Sequence, residues 1–280
     1  MLEGQFSRTA LSAAGYRAAH QLVDGGRIFA DPLATAVLGE DLPILAERCG
    51  DPVMRPLRMF VALRSRIAED VARKAIAEGA RQVVVLGAGL DTFGCRVAPV
   101  DGLAVFEVDH PSTQAEKRRR LAAAGVAAPA HLRFAPCDFE RQALAEALAE
   151  AGFDARARAA FIWLGVTPYL TAEAVEITLR FVAGIKGGAD IVFDYSNPPA
   201  SIESPGHRLF HERMAARVAE LGEAFRSHFA TLDLHRLLHA LGFADIVDRG
   251  PREIAALFSP GAPPPSENGG HIVHAYFRRG

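Results

Sequence analysis

The sequence predicts an α/β protein in which a parallel sheet carries helices on both faces. Two observations carry that class. Between residues 82 and 195, five short apolar runs rich in β-branched side chains alternate with amphipathic segments, and each crossover is short enough for a right-handed βαβ unit. The first run closes on a Gly-x-Gly turn and the next two end in acids, so groups able to bind a ligand collect at the carboxyl edge of such a sheet.

In chain order, about 80 residues of helical patterning come first, broken at Asp31-Pro32, Leu42-Pro43, Asp51-Pro52 and Arg55-Pro56. The residue ahead of each proline is driven out of the helical region, so short helices forming a cap are expected over 1–80. Strands are expected at Gln82–Leu86, Leu103–Val108, His131–Pro136, Ala159–Leu164 and Ala189–Tyr195, with helices over Pro111–Ala124, Glu140–Ala151 and Thr171–Ile185. Thr171 supplies the last of these with a capping hydroxyl. Residues 81–195 form the core of this reading. A loop at Ser196-Asn197-Pro198-Pro199 then leads to a polar helix, His207–Leu221, with Leu209, Phe210, Met214 and Val218 on one stripe; 196–230 reads as a lid insertion. The remainder, 231–280, returns through a helix (Leu232–Leu241), a Gly242-Phe243 turn into a strand, a proline- and glycine-rich loop (Ser259–Gly270) and a closing strand (His271–Phe277). All 280 residues are expected to form one domain.

Composition narrows the partners. Thirty-one basic and 33 acidic side chains leave a net charge of -2, which argues against a chain built to grip nucleic acid. No run approaches the roughly 18 apolar residues of a membrane span, and Met1–Ala10 lacks a signal core, so a cytoplasmic protein without membrane or nucleic-acid partners is expected. Cys49, Cys95 and Cys137 are too few and too scattered for a disulfide framework, and the scattered histidines have no carboxylate partner at ligand spacing, so no metal is expected. The dense run Glu116-Lys117-Arg118-Arg119-Arg120 reads as a solvated helix face.

The chemistry is concentrated in Val83-Val84-Val85-Leu86-Gly87-Ala88-Gly89-Leu90-Asp91-Thr92. Its glycines allow a tight turn and close backbone approach by a ligand. A dinucleotide site wants a third glycine or alanine where Thr92 stands, to seat a pyrophosphate on the helix. Asp91 would repel that pyrophosphate but suits a cationic cofactor, which favours S-adenosylmethionine over a nicotinamide. Glu107 and Asp109 lie on one face at the end of the second strand, about 20 residues on, and either carboxylate could accept ribose hydroxyls. Asp138-Phe139 follows the third strand, where an acid and an aromatic could bond and cover an adenine.

Together these residues resemble the leucine carboxyl methyltransferase family of class I S-adenosylmethionine-dependent methyltransferases, in its bacterial and polyketide O-methyltransferase branch. The resemblance runs through Ser7-Arg8-Thr9-Ala10, Tyr16-Arg17-Ala18, Asp31-Pro32-Leu33-Ala34, Leu86-Gly87-Ala88-Gly89-Leu90-Asp91-Thr92, Glu107-Val108-Asp109-His110-Pro111, Tyr169-Leu170 and Leu241-Gly242-Phe243. It implies a Rossmann-like sheet of seven strands, mostly parallel with an antiparallel last strand. It also implies that Arg64 binds the methionine carboxylate, Gly87, Ala88 and Gly89 the methionine and ribose portion, Asp109 the ribose, and Asp138 with Phe139 the adenine. The chain departs from the family at Leu164, where a glutamate often stands five residues before the tyrosine and resembles a ligand of the cofactor's amino group. Backbone carbonyls at Gly87 and Gly165 are the expected substitutes.

The resemblance implies methyl transfer to an oxygen of a small acid or phenol, leaving S-adenosylhomocysteine, and a carboxylate acceptor giving a methyl ester is the leading expectation. A carboxylate is already ionised at neutral pH and needs no general base. A phenol would want one, with His207, His211 or Tyr195 as suspects. Arg17, Tyr169 and Tyr195 are candidates for positioning, and Arg8, Tyr16, Ser196, His207 and His211 for acceptor contacts. The alternatives are methylation of a protein C-terminus, a nicotinamide-dependent oxidoreductase, and a cofactor-binding protein without turnover. The oligomeric state is not legible in the sequence.

Overall fold

A computed structural model describes residues 6–138, 142–258 and 266–277. Four helices precede the sheet: α1 (Arg8–Asp24), α2 (Pro32–Leu38), α3 (Leu42–Gly50) and α4 (Arg55–Ala77). They begin where local chemistry says they should. Ser7 caps α1 by accepting from the Ala10 N–H, and Asp31 caps α2 through Ala34, with Pro32 in its first turn.

The chain then alternates: β1 (Gln82–Leu86), α5 (Phe93–Arg96), β2 (Ala104–Asp109), α6 (Pro111–Ala123), β3 (Leu132–Pro136), α7 (Leu144–Glu150), β4 (Ala159–Trp163), α8 (Ala172–Ala183) and β5 (Ala189–Ser196). It closes with α9 (Pro205–Glu220), α10 (Thr231–Ala240), β6 (Ala244–Arg249), α11 (Pro251–Phe258) and β7 (Gly270–Phe277). The seven strands run in the order β3-β2-β1-β4-β5-β7-β6, and only β7 is antiparallel to its neighbours. The seven-stranded, mostly parallel sheet with an antiparallel last strand is therefore the observed architecture.

Every residue of β1 and β4 is buried, as strands covered on both faces require. On one face Val84, Phe106, Phe161 and Phe193 pack against Leu148 of α7, Leu179 of α8 and Leu238 of α10. On the other, Val83, Val105, Ile162 and Val192 pack against Ala68, Ala72 and Ile76 of α4 and Phe93 of α5. Strand order reverses between β1 and β4, and the crevice this opens at their carboxyl ends is where an open α/β sheet binds ligands.

The differences from the sequence reading are local. Strand and helix ends move by one or two residues, apart from α7, which starts at Leu144 rather than Glu140; of the expected first turn, residues 140 and 141, like Phe139, lie outside the described residues. Two elements escaped it. Helix α5 is a single turn, too short for periodicity to show, and α11 begins at Pro251 within a segment without a long apolar pattern. The lid stripe needs correction at Leu209, which is 46% exposed, whereas Val218 is buried. So does the basic run. Lys117 is buried against Glu107, with Nζ 2.5 Å from Oε2, and Arg120 turns back to Asp41 and the carbonyls of Val37 and Leu38, so the run is not wholly solvated.

Candidate functional site

Strand β1 delivers the chain into a turn whose shape depends on its glycines. Gly87 (φ +60°) and Gly89 (φ +49°) are both left-handed. A Cβ on Gly87 would run into the Val166 side chain, and one on Gly89 would stand 2.8 Å from the Ala10 methyl. The turn is thus held between the loop after β4 and the first turn of α1. Asp109, at the end of β2, accepts from the Gly89 N–H at 2.5 Å and from the His110 N–H at 2.7 Å, which fixes its carboxylate across the turn. Burial raises its pKa, against the opposing pull of those two N–H groups. Glu107 is committed to Lys117 beneath the crevice, so of the two acids Asp109 is the one lining it.

The other wall comes from the ends of β4 and β5. Arg64, on α4, donates from Nη1 to Asp194 Oδ2 at 2.8 Å, and the Gly165 N–H donates to Asp194 Oδ1 at 2.6 Å. Gly165 is also left-handed (φ +69°), and a Cβ there would lie 2.7 Å from Arg64 Nη2, so the glycine makes room for the guanidinium. Among the described residues, Arg64 Nε is buried without a hydrogen-bond partner. Tyr169 stands beyond, its ring 5.3 Å from that of Phe225, and burial pushes its hydroxyl up to about 12, so it stays protonated. Trp163 belongs to the core, 1% exposed.

These groups share one cavity of about 1180 Å³. Arg64, Gly87, Ala88, Gly89, Asp109, Asp138 and Gly165 all line it; Phe139 lies outside the described residues. Of the acceptor-side candidates, Tyr16, Ser196, His207 and His211 line it, with Ser196 Oγ 3.0 Å from His228 Nδ1. Arg8 is exposed and outside the lining. Arg17 touches the cavity, but its guanidinium is taken by Asp31 at 2.9 Å and the Leu90 carbonyl at 2.7 Å. Tyr195 also lines the cavity, with its hydroxyl tied to Asp248 and Thr231. Helix α9 covers the cavity with Phe210 and Met214, and Phe60, Phe225 and Phe258 add apolar surface.

Sequence reasoning missed Asp194, which lies two residues short of the carboxyl end of β5, at the same sheet edge as Asp109. It also missed Glu223, whose carboxylate accepts from Ser7 Oγ, Thr9 Oγ1 and the Arg8 N–H. No local pattern signals that contact, which joins residues more than 200 positions apart.

The donor set suits a nucleoside bearing a zwitterionic amino-acid tail: a Cβ-free turn and an oriented carboxylate for a ribose, and an arginine with an unpartnered N–H for a carboxylate. Comparison with known proteins agrees. The family model described as leucine carboxyl methyltransferase matches residues 10–183. The chain is 30% identical over 285 residues to YktD of Bacillus subtilis (strain 168), covering 92% of this chain and 93% of that protein, which is provisionally named an S-adenosyl-L-methionine-dependent methyltransferase. A similarly named protein of Mycobacterium tuberculosis (strain ATCC 25618 / H37Rv) is 32% identical over 234 residues, covering 79% of this chain and 69% of that one. Among solved structures, the fold is shared at a TM-score of 0.50 and 14% identity with a Nostoc punctiforme protein provisionally described as an O-methyltransferase, over 95% of this chain and 72% of the other. It is also shared at 0.52 and 14% identity with a Bordetella parapertussis protein, over 97% and 96%. The chain belongs to the leucine carboxyl methyltransferase family of S-adenosyl-L-methionine-dependent methyltransferases.

Proposed function

We propose that the protein methylates a carboxylate of a small, largely apolar acid held beneath α9, giving a methyl ester. The observation that carries this reading is the cavity. At about 1180 Å³ it exceeds the roughly 300–1,000 Å³ of a single small-molecule site, so cofactor and acceptor fit together, and α9 covers it with apolar side chains. The apolar cover that α9 lays over the cavity favours a small acceptor over the C-terminus of a protein, and the family's name points to a carboxyl oxygen.

When bound, the cofactor supplies a methyl group on a sulfonium, which is electrophilic without further activation. The chain's own residues have three tasks. Gly87 and Gly89 admit the nucleoside against bare backbone, Asp109 accepts its ribose hydroxyls, and Asp138 is placed for the adenine. Arg64 takes the amino-acid carboxylate through N–H groups that Asp194 leaves unused. The apolar wall and α9 exclude water and align the acceptor for in-line displacement. A carboxylate brings no proton to remove.

A phenol is the second reading, favoured by His207 and His211. Both line the cavity, and burial lowers the pKa of each, so both imidazoles are neutral near pH 7 and able to accept a proton. Methyl transfer from labelled cofactor to a panel of hydrophobic acids and phenols separates the two. Ester formation on an acid is the expected result; transfer confined to phenols would replace the carboxylate reading with the second. Tight binding of NADH with no response to S-adenosylhomocysteine would overturn both.

A further inference from the structure

The residue expected to hold the cofactor's amino group is missing at position 164, yet a carboxylate stands beside that position on the next strand. Trp163 and Phe193 are the last paired residues of β4 and β5, so Leu164 and Asp194 follow side by side, at the interstrand spacing of about 4.8 Å. Both fall on the face of Ile162 and Val192, which α4 covers. Asp194 lies in the cavity wall with its side chain only 6% exposed, and its rotamer is fixed by two donors from different elements, Arg64 Nη1 and the Gly165 N–H.

We propose that Asp194 is the cofactor's amino-group ligand in this protein, the acid having moved from the end of β4 to the adjacent position on β5. Two donors do not exhaust a carboxylate, which offers about four lone-pair sites, and Arg64 likewise keeps N–H groups beyond the one given to Asp194. The Arg64–Asp194 pair is therefore a ready counterpart to a zwitterion. The cofactor's α-carboxylate meets Arg64 and its α-ammonium meets Asp194, so one buried ion pair becomes an alternating set of four charges with no net charge added. Leu164 meanwhile packs against the apolar cluster under α4. This inference rests on the cofactor assignment and is independent of the acceptor.

The test is a cycle between ligand and protein, read by calorimetry. The ligands are S-adenosylhomocysteine and its deamino analogue, the same thioether with a butyrate in place of the amino acid; 5′-methylthioadenosine, which lacks the tail, reports an intact nucleoside site. Wild type is expected to prefer S-adenosylhomocysteine over the deamino analogue by at least about tenfold, the scale of a hydrogen bond to a charged group. Asp194→Asn is expected to abolish that preference while binding 5′-methylthioadenosine as wild type does. If Asp194 serves only to hold Arg64, Asp194→Asn weakens both tailed ligands equally and the wild-type ratio survives, which overturns the proposal. Should the asparagine variant not fold, Asp194→Glu keeps the charge on Arg64 and shifts the carboxylate by one methylene; a narrowed ratio supports the proposal and an unchanged one overturns it. Equal binding of both tailed ligands by wild type also overturns it, whereas wild type that binds none of the three ligands defeats the cofactor assignment itself.

Discussion

At the scale of single residues, position in the strand decided which acid is usable. Glu107 and Asp109 share a face and were indistinguishable in sequence, but Glu107 lies two residues further from the sheet edge and is sealed against Lys117. Asp109→Ala is expected to weaken S-adenosylhomocysteine binding by roughly 1.5–3 kcal/mol, the value of a lost hydrogen bond to a charged group, as calorimetry would show. Gly87→Val should abolish binding, since a side chain there meets both a left-handed backbone and Val166. The pH dependence follows from Asp109 too. Its carboxyl is raised by burial, so it protonates at a higher pH than an ordinary aspartate. Cofactor affinity should be flat above that raised pKa and fall as pH drops through it; in titrations at stepwise lower pH, an affinity that fell only below the usual value near 4 would show that Asp109 is not the acceptor.

At the scale of elements, the alternation of β and α was legible because both faces of the central strands β1 and β4 are buried and these strands read as continuous apolar runs. What stayed hidden were pieces too short for a period, such as α5, and joints made by distant side chains. Asp31 is such a joint. It caps α2, and its carboxylate accepts from Arg17 Nε of α1 and from the hydroxyl of Thr92, with Arg96 Nε of α5 ion-paired 3.1 Å away while donating to Thr92 Oγ1. Thr92, which in sequence only weakened the dinucleotide reading, thus bolts the glycine turn after β1 to the N-terminal helices. Burial alone would raise the Asp31 pKa, but the two arginines and Thr92 outweigh it and hold it below the usual carboxylate range. Such a group stabilises the fold fully above its unfolded pKa of about 3.9, and that contribution is lost as pH falls through the lower folded value. Asp31→Ala leaves the buried Arg17 guanidinium without its carboxylate, while Arg96 keeps Glu69, and is expected to cost about 3 kcal/mol, the lower end for breaking a buried pair; denaturant unfolding at neutral pH would measure it, and a loss under 1 kcal/mol would show that the joint is dispensable. Adjacent register on β4 and β5 carries a further expectation: Leu164→Glu added to Asp194→Asn should restore the preference for S-adenosylhomocysteine over its deamino analogue in the same calorimetric cycle.

At the scale of the molecule, the cavity is lined by parts far apart in sequence, among them α1 and the 196–230 segment, and Glu223 is where these two meet. Its carboxylate accepts from the Arg8 N–H at 2.9 Å, from Ser7 Oγ at 3.1 Å and from Thr9 Oγ1, at the positive end of the 17-residue α1. Composition and periodicity allowed a cap and a lid to be read separately, but a contact between residues more than 200 positions apart leaves no trace in either pattern. Because Ser7 is at once the cap of α1 and a donor to Glu223, loosening the lid should also loosen the first turn of α1, and with it the Ala10 methyl that backs Gly89. Glu223→Ala is therefore expected to raise amide hydrogen exchange in both segments at once, around residues 8–12 and around 221–228, while strands β1 and β4 keep their protection. If the clamp works as a unit, the acceptor's KM should rise in the same variant. Faster exchange in only one of the two segments would mean that cap and lid move independently, and that the chamber is closed by α9 alone.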